Sequence, residues 1–454
     1  MKNRLFDALK KSTADYVEIR FETDDTTALS YRGKEVEGAG TSSAAGGIVR
    51  ACTRGGWGTV TFDSLDDLEH QVQEACTCAK LVGREKTELA EVPPVVAEKR
   101  AALTHDFRGV SLDEKLRLIE HYNNIILGAD PSIETSSVSY ADRFRTVYFA
   151  STRGNYFMEE RPRLVCGFSA AARAGSLVQR THDSKSSATT YDVVLGLDDK
   201  VLEVAKRAAA LLRAPKPEGG AGTVILNPDM AGVFIHEAFG HLSEADFLYE
   251  NPQMRDLMHL GREVGGPELN VIDDGSLGHL IGTQAFDDEG TPTRKTYLIR
   301  NGKLAGHLHS LETAGKMGAQ PTGNARAIRR GFSPIVRMTN TYVDNGTSRV
   351  EDLFAGVDKG IYACNAFGGV TQLEMFTFSA AYGYRIENGK KGELLRDVVM
   401  TGNVFQTLKA IDGIANDLHI GETAGGCGKG GQMPLPVTDS SPHLRIRNVV
   451  VGGG

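Results

Sequence analysis

Two imidazoles and a carboxylate fall within six residues, His236-Glu237-Ala238-Phe239-Gly240-His241, and this spacing constrains the surrounding fold more than any other feature of the chain. Val233, Phe234, Phe239 and Leu242 flank it, so the segment reads as buried helix, where unpaired charge is costly. Histidines at i and i+4 sit about 40° apart around an ideal helix, whereas i and i+5 sit about 140° apart. Both rings therefore face one ion only if the helix is distorted between them, by a π-bulge with i→i+5 bonding or by ending there. Gly240 permits such a distortion, since it lacks a side chain and tolerates unusual dihedrals. Two neutral imidazoles suit zinc, and the adjacent Glu237 suits a general base acting on water at the metal. The plain alternative is a buried helix whose histidines hydrogen-bond to neighbours.

A catalytic zinc site uses three protein ligands and one open position. Glu244, Asp246, Glu263 and Glu268 are available carboxylates, though acids following a helix are usually just solvated. Cys427 is the more informative candidate, lying in Gly425-Gly426-Cys427-Gly428-Lys429-Gly430-Gly431, where the backbone can approach another group closely. Lys429 is placed to lower the thiol pKa, and thiolate is the form that binds zinc; an inert loop cysteine is the alternative. The segment is not a P-loop, because Gly430 follows the lysine where Ser or Thr is required. Other clusters carry less. Cys76 and Cys78 read as core fillers, and His307 and His309 share a strand face without further ligands. Asp287-Asp288-Glu289 reads as a solvated acidic turn, or else a site for a cation or a substrate amine. Lys316, Arg326, Arg329 and Arg330 form a basic patch that suits a peptide carboxylate or a plain surface.

With 454 residues the chain is long enough for two or three domains. A net charge of −7 argues against nucleic acid or an anionic membrane as partner, and no apolar run approaches the roughly 18 residues of a membrane span. The amphipathic N-terminus lacks a signal-peptide core, and six cysteines show no disulfide framework. A cytoplasmic protein with reduced thiols is the expectation.

The patterning predicts an α+β fold. Strands are expected at 16–22, 26–32, 47–52 and 57–62, followed by a helix from Ser64 to about Val82. A capping box at Ser111 and Glu114 opens a second helix, and strands near 132–140, 144–151, 155–160 and 164–171 lead to a helix at 198–213. Antiparallel strands followed by helix thus occur twice, which suggests a duplicated N-terminal domain over 1–218. The Pro/Gly stretch 213–222 marks the boundary. Residues 219–454 read as a β-rich domain around the His-Glu-x-x-x-His helix, with one further helix at 403–417.

Several of these motifs occur together in one family. His236-Glu237-x-x-x-His241, Asp287-Asp288-Glu289-Gly290, Thr322-Gly323-Asn324-Ala325-Arg326, Arg337-Met338-Thr339-Asn340-Thr341 and Cys427-Gly428-Lys429-Gly430-Gly431-Gln432 resemble TldD/PmbA proteins across nearly the whole chain. The resemblance implies a zinc-dependent metalloprotease of unfolded or short peptides. It also implies Cys427 as the third metal ligand beside His236 and His241, with Glu237 as catalytic base. A dimer enclosing the site is implied too, formed with a second copy or with a metal-lacking paralogue. Retention of His236, Glu237 and His241 points to the metal-bearing, TldD-like subunit rather than to a non-catalytic peptide-binding or regulatory one.

Overall fold

A computed structural model describes residues 1–85, 88–421 and 423–453. Strands β1 (Tyr16–Arg32), β2 (Glu35–Thr53), β3 (Gly56–Phe62), β4 (Val96–Lys99), β5 (Ile133–Ser151), β6 (Tyr156–Ala174) and β7 (Leu177–Ser187) form one sheet. Its order is β3-β2-β1-β5-β6, with β4 and β7 sharing the far edge of β6. Helices α1 (Lys2–Leu9) and α2 (Leu68–Val82) cover the β1–β3 half, and α3 (Leu112–Gly128) and α4 (Asp198–Leu211) cover the β5–β7 half. The strands-then-helix pattern does occur twice. The two halves join through a β1–β5 pairing into a continuous sheet.

The strands are longer than expected. Residues 16–22 and 26–32 belong to one strand, as do 132–140 with 144–151 and 155–160 with 164–171. The segment 47–52 is only the end of β2. The Val17, Ile19 and Phe21 face packs on α1 and α2, as alternation predicts. The opposite face, with Glu18, Arg20, Glu22 and Asp24, is equally buried. It packs on the C-terminal half of the chain through ion pairs, Arg50 to Glu289 at 3.1 Å and Arg161 to Asp288 at 2.7 Å, and a hydrogen bond from Arg20 to the Phe332 carbonyl at 2.7 Å. The acidic turn 287–289 is thus not solvated. Its three side chains are buried under the arginines of the first sheet.

With β8 (Gly220–Leu226) and after α5 (Pro228–Ile235), the described residues build two larger sheets and a two-stranded one that pairs 325–326 with 335–336. One runs in the order 359–372, β8, 444–453, 398–403, 375–387, 390–395, and a pairing of 359–372 with 375–387 closes it. The other runs 303–304, 295–300, β9 (Val271–Asp274), 340–343, 432–440, 425–429. Helix α5 lies between them, touching strand 359–372 on one side and strands 340–343 and 432–440 on the other. Phe234 of α5 sets its ring edge-on to Phe376 and Phe378. At Gly232 a Cβ would come within 2.9 Å of the Asp439 backbone, so the missing side chain lets strand 432–440 close onto the helix.

The helix expected at 403–417 is only Val404–Lys409, followed by a strand at Ile411–Ile414. Tertiary pairing overrides the helical pattern there: Arg445 and Arg447, on the neighbouring strand, hold Asp412 at 2.7 and 2.6 Å. Among the described residues no helix is long and apolar enough to cross a membrane.

Candidate metal centre

Asn227 caps α5 by accepting from the Met230 N–H, and Pro228 occupies the first turn, so the helix starts sharply after β8. Met230, Ala231, Phe234, Ile235, Ala238 and Phe239 are buried and fix its rotation. At His236–Gly240 the helix widens into a single π turn, with the His241 N–H donating to the His236 carbonyl. The i→i+5 bond brings the two imidazoles onto one side, their ring centroids 5.1 Å apart and their planes at 88°.

Gly240 is needed for a different reason from the one expected. Its backbone is ordinary helix (φ −56°, ψ −50°), but a Cβ there would lie 2.1 Å from Met338 Sδ. Close packing, not an unusual dihedral, excludes a side chain. Gly240→Ala is therefore expected to cost about 1–3 kcal/mol of stability, the usual range for overpacking a core. Chemical denaturation would measure it, and an unchanged midpoint would show that Met338 moves aside freely.

Cys427, on the outer strand 425–429, is buried and brings its Sγ to 3.4 Å from His241 Nε2. The donor atoms of His236, His241 and Cys427 all lie within 4.8 Å of one another. Each imidazole has a carboxylate behind it. Asp439 Oδ1 is 2.5 Å from His236 Nδ1, close but off the ideal hydrogen-bond line, and Glu244 Oε2 is 3.0 Å from His241 Nδ1. Carboxylates on Nδ1 leave Nε2 of both rings as the donor toward the centre. Glu237 stands beside them with its carboxylate 3.9 Å from His241 Nε2 and its side chain 31% exposed.

Charge within the cluster is strongly coupled. Burial raises the Cys427 thiol, but hydrogen bonding and charge from both histidines reverse this and bring it down to about 5. Burial lowers His241, yet Glu244 and the thiolate carry it up to about 9. His236 also rises against its burial, chiefly through Asp439. Burial raises the Glu237 carboxyl. A thiolate facing two imidazoles that hold their protons is the pattern from which a divalent cation displaces protons. Sulfur with two imidazoles fits zinc among the common metals.

The remaining candidates fall elsewhere. Glu244 orients His241 and accepts from Lys429 at 2.9 Å, and Asp246 accepts from Lys429 at 2.6 Å. Lys429 thus spends its charge on carboxylates, and the histidines lower the thiol. Glu263 pairs with Lys303 at 3.5 Å, and Glu268 accepts from Thr347 at 2.7 Å. His307 bonds the Met258 carbonyl at 2.8 Å and His309 the Thr313 hydroxyl at 3.2 Å, as buried histidines commonly do. Cys76 is buried in the α2 core, while Cys78 is partly exposed. The basic residues of 316–330 do not form one patch. Arg326 is buried and donates to Pro436 at 2.8 Å, Lys316 pairs with Glu312 at 2.5 Å, and Arg329 lies over the Phe332 ring. Asp439 escaped sequence reasoning. Its one signal is a carboxylate inside the strand Val437-Thr438-Asp439-Ser440, where apolar and hydroxyl side chains otherwise prevail.

A carboxylate-backed His-His-Cys donor set beside a glutamate, carried on a helix between two sheets, defines a candidate metal centre of the metalloprotease type. Family descriptions agree. Residues 17–79, 105–214 and 219–453 match domain 1, the central domain and the C-terminal domain of the PmbA/TldA metallopeptidases. A metalloprotease of Synechocystis is 43% identical, over 98% of this chain and 96% of its own length. A zinc metalloprotease TldD homolog of Saccharolobus solfataricus is 29% identical, over 99% of this chain and 100% of its own. Among solved structures, TldE from Thermococcus kodakarensis superposes with a TM-score of 0.77 at 20% identity, each chain covered in full (100%). A Thermotoga maritima protein gives a TM-score of 0.81 at 22% identity, with 99% of each chain covered. The chain belongs to the TldD/PmbA family of metalloproteases.

Proposed function

We propose that this protein is a zinc-dependent peptidase acting on unfolded or short peptides. The observation that carries this reading is the convergence of His236, His241 and Cys427 within 4.8 Å, with Glu237 alongside. His236 Nε2, His241 Nε2 and Cys427 Sγ would hold the ion. When bound, zinc supplies Lewis acidity, lowering the pKa of a coordinated water toward ~7 and polarising a carbonyl. Asp439 and Glu244 keep a proton on each Nδ1 and fix the ring orientations. Lys429 holds Glu244 in place from the strand that carries Cys427. Glu237 takes the proton of the attacking water and returns it to the leaving amine. Strand 425–429 is the outermost of its sheet, which supports an extended peptide adding to it through backbone hydrogen bonds that tolerate varied sequences. The working assembly would be a dimer, with a second copy or a metal-lacking paralogue, in the cytoplasm.

Metal analysis of the purified protein, paired with hydrolysis of an unstructured peptide, tests the reading. About one zinc per chain and cleavage are expected, with both lost in Cys427→Ser. A folded wild-type protein that takes up no transition metal would point instead to a non-catalytic peptide-binding or regulatory subunit.

A further inference from the structure

Four arginines occupy adjoining positions on the face of the first sheet that turns toward the C-terminal half of the chain. Across the β5–β6 pairing Arg145 stands opposite Arg161 and Arg143 opposite Arg163, and residues two apart on a strand share a face. Like charges directly opposite one another destabilise a sheet, so each guanidinium calls for a counter-charge. Three have one: Arg143 and Arg145 hold Asp24 at 2.5 and 3.2 Å, and Arg161 holds Asp288 at 2.7 Å. The fourth does not. Arg163 is partly buried, and its guanidinium makes no hydrogen bond or ion pair with any described residue. Burial and the guanidiniums of Arg326, Arg145, Arg161 and Arg143 all depress its pKa.

The other half of the chain adds a fifth cation in the same condition. Arg326 is only 1% exposed and donates to the carbonyls of Met338 and Pro436, and its Nε–H has no acceptor. Pro436 lies opposite Gly426, the neighbour of Cys427, so Arg326 stands one residue along from the sulfur donor. Two ties flank Arg163. Over β7, Ser186 donates to the Thr423 carbonyl and Ser184 accepts from the Ala424 N–H, both at 3.1 Å. Over β5, Arg145 donates to the Ile328 carbonyl at 2.6 Å. Between the ties the sheet face opens. Ala141 is exposed and Val165 opposite it partly so, each two residues from Arg143 or Arg163 on the same face. Arg163 therefore stands at the inner end of a recess whose far wall is the segment leading to Cys427.

We propose that Arg163, backed by Arg326, receives a carboxylate of the peptide, either its C-terminal group or the side chain of an aspartate or glutamate. The assignment rests on the peptidase reading above. A carboxylate matches the planar fork of a guanidinium and supplies the counter-charge that neither arginine finds among the described residues.

The test uses two sets of matched unstructured peptides: free acid against amide at the C-terminus, and glutamate against glutamine scanned across the sequence. Zinc-loaded wild type is expected to show kcat/KM about tenfold higher for the anionic member of one set, and that set identifies which carboxylate binds. The ratio should fall to about 1 in Arg163→Gln, drop below 1 in Arg163→Glu and be partly restored in Arg163→Lys. The same ratios are read as Kd by fluorescence anisotropy in a Glu237→Gln background, without turnover. Arg163→Gln strands no partner and removes a repelled charge, so its urea midpoint should equal or exceed that of wild type. Binding that prefers the carboxylate through Arg163 while no peptide is cleaved would sustain the recess and remove the peptidase reading. Equal binding in both sets, a preference that survives in Arg163→Gln, or a lowered midpoint in that variant would overturn the assignment.

Discussion

Glu237→Gln is expected to keep its zinc and lose hydrolysis, with kcat/KM for an unstructured peptide falling about 100- to 10,000-fold, the usual contribution of a general base. Glutamine keeps the shape and the hydrogen-bonding reach of glutamate but cannot accept a proton. The donor set of His236, His241 and Cys427 is untouched by the change. Glu237 is the carboxylate of the cluster with no structural duty: Asp439 and Glu244 are committed to imidazoles, and Asp246 to Lys429. Metal content and steady-state kinetics on the same preparation separate the two effects. Full activity in the variant would mean that another group accepts the proton, and loss of zinc would mean that Glu237 holds the ion.

Asp288→Asn should be strongly destabilising, costing on the order of 3 kcal/mol at neutral pH, because it removes one of the two buried carboxylates that face each arginine and leaves Arg161 with Glu159 and Arg20 with Glu22 alone. Asp288 bonds Arg161 at 2.7 Å, lies 3.8 Å from Arg20 and accepts from the Ala327 N–H at 2.7 Å. Burial opposes its charge, but the two guanidiniums and that N–H hold its carboxyl well below the usual range. A carboxyl depressed in the folded state stabilises the protein above its unfolded pKa of about 3.9, and the benefit fades as pH falls below that value. Urea titrations of wild type and variant should therefore differ widely at pH 7 and converge as pH drops below about 4. A constant gap across that range would show that packing, not charge, carries the contribution.

The centre was more legible than the body that holds it. An i,i+5 histidine pair on an apolar helix allows few geometries that face one ion, and the π turn is one of the two that the spacing permits. Cys427 was one candidate ligand by its glycine-rich setting and became the chosen one through the family resemblance, because a contact across 186 positions leaves no mark in local spacing. The supporting carboxylates were harder. Glu244 looked like any acid after a helix, and Asp439 sits alone in a strand. The first sheet misled for a clear reason. Alternation of Val17, Ile19 and Phe21 with Glu18, Arg20 and Glu22 reads as one dry and one wet face. Here the charged face is buried against complementary charges supplied from 239 residues further on, as in Arg50 with Glu289. Binary patterning cannot distinguish water from a charged protein surface.

Lys429 reaches from the strand of Cys427 to Glu244 and Asp246, and Asp246 in turn accepts from the Val336 N–H at 3.3 Å. These ties join the tail of the chain to the segment after His241 without calling on the thiol or the imidazoles. The strand of Cys427 and the segment after His241 are thus held together by contacts other than the donors' own, while Asp439 and Glu244 orient the imidazoles, so capturing an ion requires little ordering of the chain. Such preorganisation favours affinity by sparing conformational entropy.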